Sequence, residues 1–288
     1  RPSIIALQSG GALAPLGQNG TATGGQFPIY LSRYTPAGGW SSLSNLLPGN
    51  GATQNPSLLQ LPDGKVLIFL TAADTNQVDV LVSEDDGDSW APYALRVLDD
   101  VVPDTDVRYL AAAYAARQIV LFVGYHDGST FDMAQYASSD LGKSFKSVTA
   151  SYKADTVTSD EAEGPVVTGV RAGGFVVLYR DHSTSPIRYE SVAIPDAFTA
   201  AAGLASLNLG PSDATDQIAC AVYTRTNGDV LALIHEDGTS NGDVVIHVSS
   251  DGGTSYDYQK SAVTLISTGT SDDALYDYAY AESGGRGL

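Results

Sequence analysis

The sequence predicts an all-β fold, a six-bladed β-propeller of four-stranded antiparallel blades with the sixth blade incomplete. Three observations carry the prediction. A hairpin pattern recurs at a near-constant interval, an eight-residue turn motif occurs in three copies, and the composition suits many short strands joined by tight turns. The chain has 288 residues, 43% of them hydrophobic and only 17% charged, with 30 glycines and 16 tyrosines. That balance supports a packed all-β domain and excludes a disordered, charge-rich chain. Residues 1–288 are read as one domain, part of a longer chain, since all-β folds of this size commonly form a single unit.

The hairpins come first along the chain. Ile4-Ile5-Ala6-Leu7 followed by Gly10-Gly11-Ala12-Leu13-Ala14 is echoed by Ser57-Leu58-Leu59-Gln60-Leu61 followed by Asp63-Gly64-Lys65-Val66-Leu67-Ile68. The pattern returns weakly at Val107 to Phe122. It is clear again in Glu163-Gly164-Pro165-Val166-Val167 with Gly173-Gly174-Phe175-Val176-Val177, and in Gln217-Ile218-Ala219-Cys220-Ala221 with Asn227-Gly228-Asp229-Val230-Leu231. Each copy is an apolar run, a turn and a second apolar run, the signature of two buried antiparallel strands. With Pro2, Pro56, Val107, Pro165 and Ile218 as markers, the steps are 54, 51, 58 and 53 residues. A period near 50 residues fits one four-stranded blade.

The turn motif comes later in each repeat that carries it. Ser83-Glu84-Asp85-Asp86-Gly87-Asp88-Ser89-Trp90, Ser138-Ser139-Asp140-Leu141-Gly142-Lys143-Ser144-Phe145 and Ser249-Ser250-Asp251-Gly252-Gly253-Thr254-Ser255-Tyr256 all read Ser-x-Asp-x-Gly-x-Ser-aromatic. The aspartate accepts backbone N–H groups within the turn, the glycine supplies a left-handed backbone angle, and the aromatic packs back onto the sheet. A degenerate fourth copy runs from Ser32 to Trp40. The crowded carboxylates Asp85, Asp86 and Asp88 lack the twelfth-position glutamate of a calcium loop, so they are read as turn chemistry. No histidine or cysteine spacing suggests a zinc site, and no metal or cofactor is expected.

Charge and cysteine content bound the partners. A formal net charge of −18 opposes binding to nucleic acid or insertion at an anionic membrane. The single cysteine, Cys220, lies in an apolar run and is expected to be a buried small hydrophobe.

The repeated turn resembles the Asp-box of sialidases, members of the BNR-repeat propellers, and the resemblance extends to further residues. Arg1-Pro2-Ser3-Ile4 is similar to a shortened Arg-Ile-Pro motif, whose arginine holds the substrate carboxylate. Glu163-Gly164-Pro165-Val166-Val167 leading to Arg180 resembles the segment carrying a catalytic glutamate and a second carboxylate-binding arginine. Leu275-Tyr276-Asp277-Tyr278 resembles the segment bearing the nucleophilic tyrosine. The resemblance implies a retaining exo-glycosidase acting on terminal sialic acid or a similar acidic sugar. In it Tyr276 is the nucleophile, Glu163 its base, and Arg1 and Arg180 bind the substrate. It also implies an extracellular protein whose partners are glycans.

The chain departs from that pattern in two places. Residues 17–27 contain no carboxylate where the family's acid/base aspartate belongs, and Asn241-Gly242-Asp243 stands where a third arginine is expected. Asp104, Asp106, Glu161 and Asp216, at blade starts, are alternative acids, as two carboxylates serve in the exo-arabinanases that share the architecture. The competing expectation is an inactive propeller that binds glycans or serves as a structural module. Residue by residue, Arg180 would then pair with Asp181, and Tyr276 would be one of many packing tyrosines.

Overall fold

The computed structural model describes residues 4–17, 29–42, 44–45, 56–71, 78–94, 106–126, 131–149, 164–181, 188–209, 216–237, 243–263, 282–283 and 286–287. Five antiparallel sheets succeed one another along the chain. The first contains β1 (Ile5–Ala6), β2 (Ala12–Gly17), β3 (Ile29–Thr35) and β4 (Gly39–Trp40), with β5 (Ser44–Asn45) also paired to β3. The second holds β6 (Ser57–Gln60), β7 (Val66–Thr71), β8 (Val78–Ser83) and β9 (Ala91–Ala94). The third holds β10 (Asp106–Ala115), β11 (Gln118–His126), β12 (Phe131–Ser138) and β13 (Lys146–Thr149). The fourth holds β14 (Val166–Gly169), β15 (Phe175–Asp181), β16 (Arg188–Ile194) and β17 (Leu207–Leu209). The fifth holds β18 (Asp216–Thr224), β19 (Val230–Asp237), β20 (Asp243–Ser249) and β21 (Asp257–Val263).

In each sheet the spatial order is the chain order, as successive hairpins require. The first strand of each sheet touches the first strand of the next, β1 with β6, β6 with β10, β10 with β14 and β14 with β18. First strands therefore line the centre and last strands form the rim, which is a propeller.

The second strand of each blade explains the continuous apolar runs. Val66, Leu67, Ile68 and Phe69 on β7 are all fully buried, on both faces of the sheet. Val66, Ile68 and Leu70 pack with Leu7, Leu13 and Leu31 of blade one, while Leu67 and Phe69 pack with Ile119, Leu121 and Val123 of blade three. β15 repeats the arrangement. Phe175 and Val177 face Val120 and Phe122 of blade three, and Val176 and Leu178 face Cys220, Val222 and Val230 of blade five. A strand clamped between two neighbouring sheets has no wet face, so period-two alternation selects the neighbour instead of choosing between core and solvent. Each such side chain contributes about 1.5–3 kcal/mol. Cys220 sits within the last of these layers, 4% exposed, as the sequence led us to expect.

One expectation is corrected. Five blades, not six, stand among the described residues, and beyond Val263 only the two-residue strands β22 (Glu282–Ser283) and β23 (Arg286–Gly287) are described. The five blades take up the sequence through Val263, and residues 264–288 amount to about half of one repeat.

Candidate functional site

Antiparallel order divides the propeller into two ends. Connections from first to second and from third to fourth strands leave at one end, the turn end. Connections from second to third strands and from each blade to the next leave at the other, the loop end. The turn end is built from short, internally bonded turns. The loop end carries connections that include 18–28, 72–77, 95–105, 150–163, 182–187, 210–215 and 238–242, which lie outside the described residues.

The three copies of the eight-residue motif fold alike at the turn end. In the second blade the Ser83 hydroxyl donates to Asp85 Oδ1 at 2.7 Å and accepts the Gly87 N–H at 2.7 Å. Asp85 also receives the Ser89 N–H at 2.8 Å and hydroxyl at 2.5 Å. The same bonds recur around Asp140 and Asp251. The Ser89 hydroxyl and N–H, then Ser83, lower the Asp85 carboxyl to about 2. Ser255 does the same for Asp251, also to about 2. At Asp140 burial works the other way, but the bonds from Ser144 and Ser138 outweigh it and its carboxyl is also lowered. Each carboxylate accepts from two serine hydroxyls and a serine N–H of its own turn, bonds that favour its charged form. Among the described residues no group of three or more His, Cys, Asp or Glu is arranged to hold a metal ion.

The resemblance gave a candidate site of four residues. Of these, Arg1, Glu163 and Tyr276 lie outside the described residues, so only Arg180 can be located. Arg180 is the penultimate residue of β15, half-buried, with Tyr189 as its ladder partner. In the same ladder Asp181 stands opposite Arg188. Gly164, directly after Glu163, is pressed against blade three, where an added Cβ would come within 2.3 Å of the Tyr109 ring. No side chain larger than hydrogen fits there without moving β10 or β14.

Other polar groups gather at the loop end of blade four. The Tyr179 hydroxyl donates to the Glu190 carboxylate, its cross-strand partner. Arg188, which opens β16, is 4% exposed. Cross-strand partners share a face, so Tyr179, Glu190 and Arg188 all stand on the side of β15 and β16 that faces blade three. Gln217, fully buried at the start of β18, accepts the Tyr189 N–H at 2.7 Å and donates to the Leu209 carbonyl at 2.5 Å, tying blade five to the outer strands of blade four. Nothing in the linear sequence marks Tyr179, Glu190 or Gln217, because each acts across a strand or blade boundary that only register defines.

Comparison with known proteins agrees with this architecture. Residues 18–280 match the BNR repeat-like domain, and the chain belongs to that family. Among solved structures it is similar to an α-L-arabinanase from Penicillium chrysogenum, at 18% identity over 89% of this chain and 79% of that one, with a TM-score of 0.62. It is also similar to an ulvan lyase, at 14% identity over 90% and 69% of the two chains, with a TM-score of 0.60. A sialidase from Streptococcus pneumoniae aligns at 12% identity over 90% of this chain and 60% of that one, with a TM-score of 0.60. At these identities the likeness is one of fold. No curated protein matches the chain by sequence.

Proposed function

We propose that this propeller is an extracellular exo-glycoside hydrolase that removes a terminal acidic sugar, sialic acid or a close relative, at its loop end. The observation that carries the reading is the position of Arg180, at the loop end of a second strand, beside the inner strand that comes after Glu163. The activities of the similar structures, two glycoside hydrolases and a polysaccharide lyase, support carbohydrate as the substrate class. Under this reading the three repeated turns are Asp-boxes and have no part in the chemistry.

The residues suit the reaction. An acidic sugar carries a carboxylate that Arg1 and Arg180 would hold through charge-assisted, forked hydrogen bonds. A carboxylate nucleophile would be repelled by that substrate, whereas the neutral Tyr276 hydroxyl, deprotonated by Glu163 as it attacks, is not. The glycosyl-tyrosine then yields to water, with net retention. Proton delivery to the leaving group falls to a loop-end carboxylate outside the 17–27 segment, which has none.

The test is release of a fluorescent leaving group from an α-linked sialoside, beside an α-L-arabinofuranoside and a β-glucuronide. Sialoside turnover by the wild type should fall at least about 100-fold in Tyr276→Phe, and Arg180→Lys should raise KM about tenfold, as a forked contact becomes a single one. Turnover of the arabinofuranoside alone, unaffected by Tyr276→Phe, would reject the tyrosine mechanism. The second reading, a glycan-binding propeller without catalysis, is favoured by the same carboxylate-free segment and predicts binding with no release from any of the three.

A further inference from the structure

We propose that Arg117, Arg171 and Arg225 form a binding site for an anionic glycan chain at the turn end of the propeller axis, on the face opposite the loop end. The three residues occupy the turns between first and second strands of three successive blades, three, four and five. Because first strands line the centre, these turns are the innermost on that face.

The turns touch one another. A Cβ added at Gly173 would lie 3.2 Å from the Ala116 side chain, beside Arg117, and one at Gly228 would lie 3.8 Å from Arg171 Cδ. Arg171 Nη1 donates to the Thr226 carbonyl at 2.8 Å, which sets it one residue from Arg225. The three arginine-bearing turns are thus contiguous, in a chain whose net charge is −18.

The ion pairs of the turn end join Arg33 to Asp86 and Asp88, and Lys65 to Asp63 and Glu84. No described carboxylate pairs with Arg117, Arg171 or Arg225. The carboxylate of these three turns, Asp229, is taken by the Asn227 side-chain amide at 2.6 Å. Arg225 Nε is buried with no hydrogen-bond partner among the described residues.

Backbone geometry gives a second, independent sign. Ala116 and Arg117 form a two-residue hairpin turn in which both residues have positive φ, 46° and 66°. Such a turn favours Asn-Gly, and the corresponding turns of blades four and five place Gly173 and Gly228 in the left-handed region. Arg117 thus stands at a position where glycine would fit with less strain.

The patch suits an anionic polymer. Three guanidinium forks on adjacent turns match carboxylate or sulfate groups spaced one per sugar along a chain. A uronate or sulfated glycan and a single-stranded nucleic acid both carry about one charge per unit, so DNA is the competing occupant that the experiment must separate. The site stands apart from the proposed loop-end chemistry and does not depend on it.

The experiment measures equilibrium binding of the protein to polygalacturonate and to chondroitin sulfate, with neutral dextran and single-stranded DNA as comparisons. The wild type should bind both acidic glycans, more weakly as NaCl rises from about 20 to about 300 mM, and should not bind dextran. Changing all three positions together, Arg117→Gly with Arg171→Gln and Arg225→Gln, should weaken binding at least about tenfold, the effect expected when charge-assisted contacts are lost. Arg117→Gly alone should weaken binding while melting at or above the wild-type temperature, since glycine fits the turn, which separates lost binding from lost folding. Loop-end turnover of a small fluorogenic sugar should be unchanged in all these variants, while Arg180→Lys should leave polymer binding intact. Absence of wild-type binding, equal binding by the triple variant, equal binding to dextran, or tighter binding to DNA would each overturn the proposal.

Discussion

The repeated turn of blades two, three and five and the corresponding turn of blade one occupy equivalent places, yet they hold very different positions in the packing. Where the motif is complete, it reaches the preceding blade. Trp90 packs into the layer between blades one and two, Phe145 meets Phe69 of blade two edge-on at 5.9 Å, and Tyr256 packs against blade four and hydrogen-bonds Ser191 at 3.1 Å. Burial raises the Tyr256 hydroxyl to about 12. The motif glycines sit as close. A Cβ would meet Leu13 at 2.8 Å from Gly87, Leu67 at 2.9 Å from Gly142, and Val176 at 2.3 Å from Gly253. In blade one, before which no blade stands among the described residues, Gly39 has nothing described within 4 Å and Trp40, set against Tyr34, is 49% exposed. The motif therefore fastens one blade to the one before it, with the local turn as its means.

The largest test of that view is Gly253→Ala. A methyl group there must displace Val176 and adopt φ of +91°, so we expect about 4 kcal/mol of destabilisation in urea unfolding. The equivalent change at Gly39, also at positive φ but in open space, should cost only the backbone part, about 1 kcal/mol. Equal losses at the two positions would reduce the motif to a local turn.

Blade four adds a third case, because it fastens to blade three without the motif. Gln135 of blade three, fully buried, donates to the Ala197 and Thr199 carbonyls and accepts the Ala201 N–H, while Gln118 accepts the Ala197 N–H. Gln135→Ala leaves three backbone groups without that partner and should cost about 3 kcal/mol, read from the same unfolding curves.

Acid should reveal the turns themselves. The Asp85 and Asp251 carboxyls are held near 2 in the fold against about 3.9 when unfolded. The unfolded chain therefore takes up protons first, and their contribution is complete above about pH 4 and lost as pH falls toward 2. Both side chains are largely solvated, so the share of each is small, about 1 kcal/mol or less. Asp251→Asn should flatten the stability profile across that window and leave it parallel to wild type at neutral pH. The smallest effect belongs to Trp40→Ala, expected within about 0.5 kcal/mol in a thermal melt because the ring is already half in water.

Much of the scaffold was legible in the sequence for a physical reason. Strands clamped between blades must be apolar on both faces, so Val66 to Leu70 and Phe175 to Tyr179 stand out as continuous runs, and the markers Pro56, Val107 and Pro165 fall at the starts of inner strands. The blade-four turn was not legible. Asp196 accepts the N–H groups of Phe198 and Thr199 much as the motif aspartates do, but without the flanking serines or glycine that form the pattern. Of the candidate site, Arg180 was named from resemblance to a family pattern, whereas the Tyr179–Glu190 bond depends on register between two strands. A single chain read in one dimension holds neither partner's address.

The lone thiol of Cys220 gives the molecule its own clock. It lies on the inner strand of blade five, packed against Val176 and Leu178 of blade four. A thiol reagent in solution cannot reach it while those strands are together, so the labelling rate counts how often blades four and five part. With no second cysteine in the chain to confuse the signal, separation of these two blades can be timed in the native protein without adding a probe.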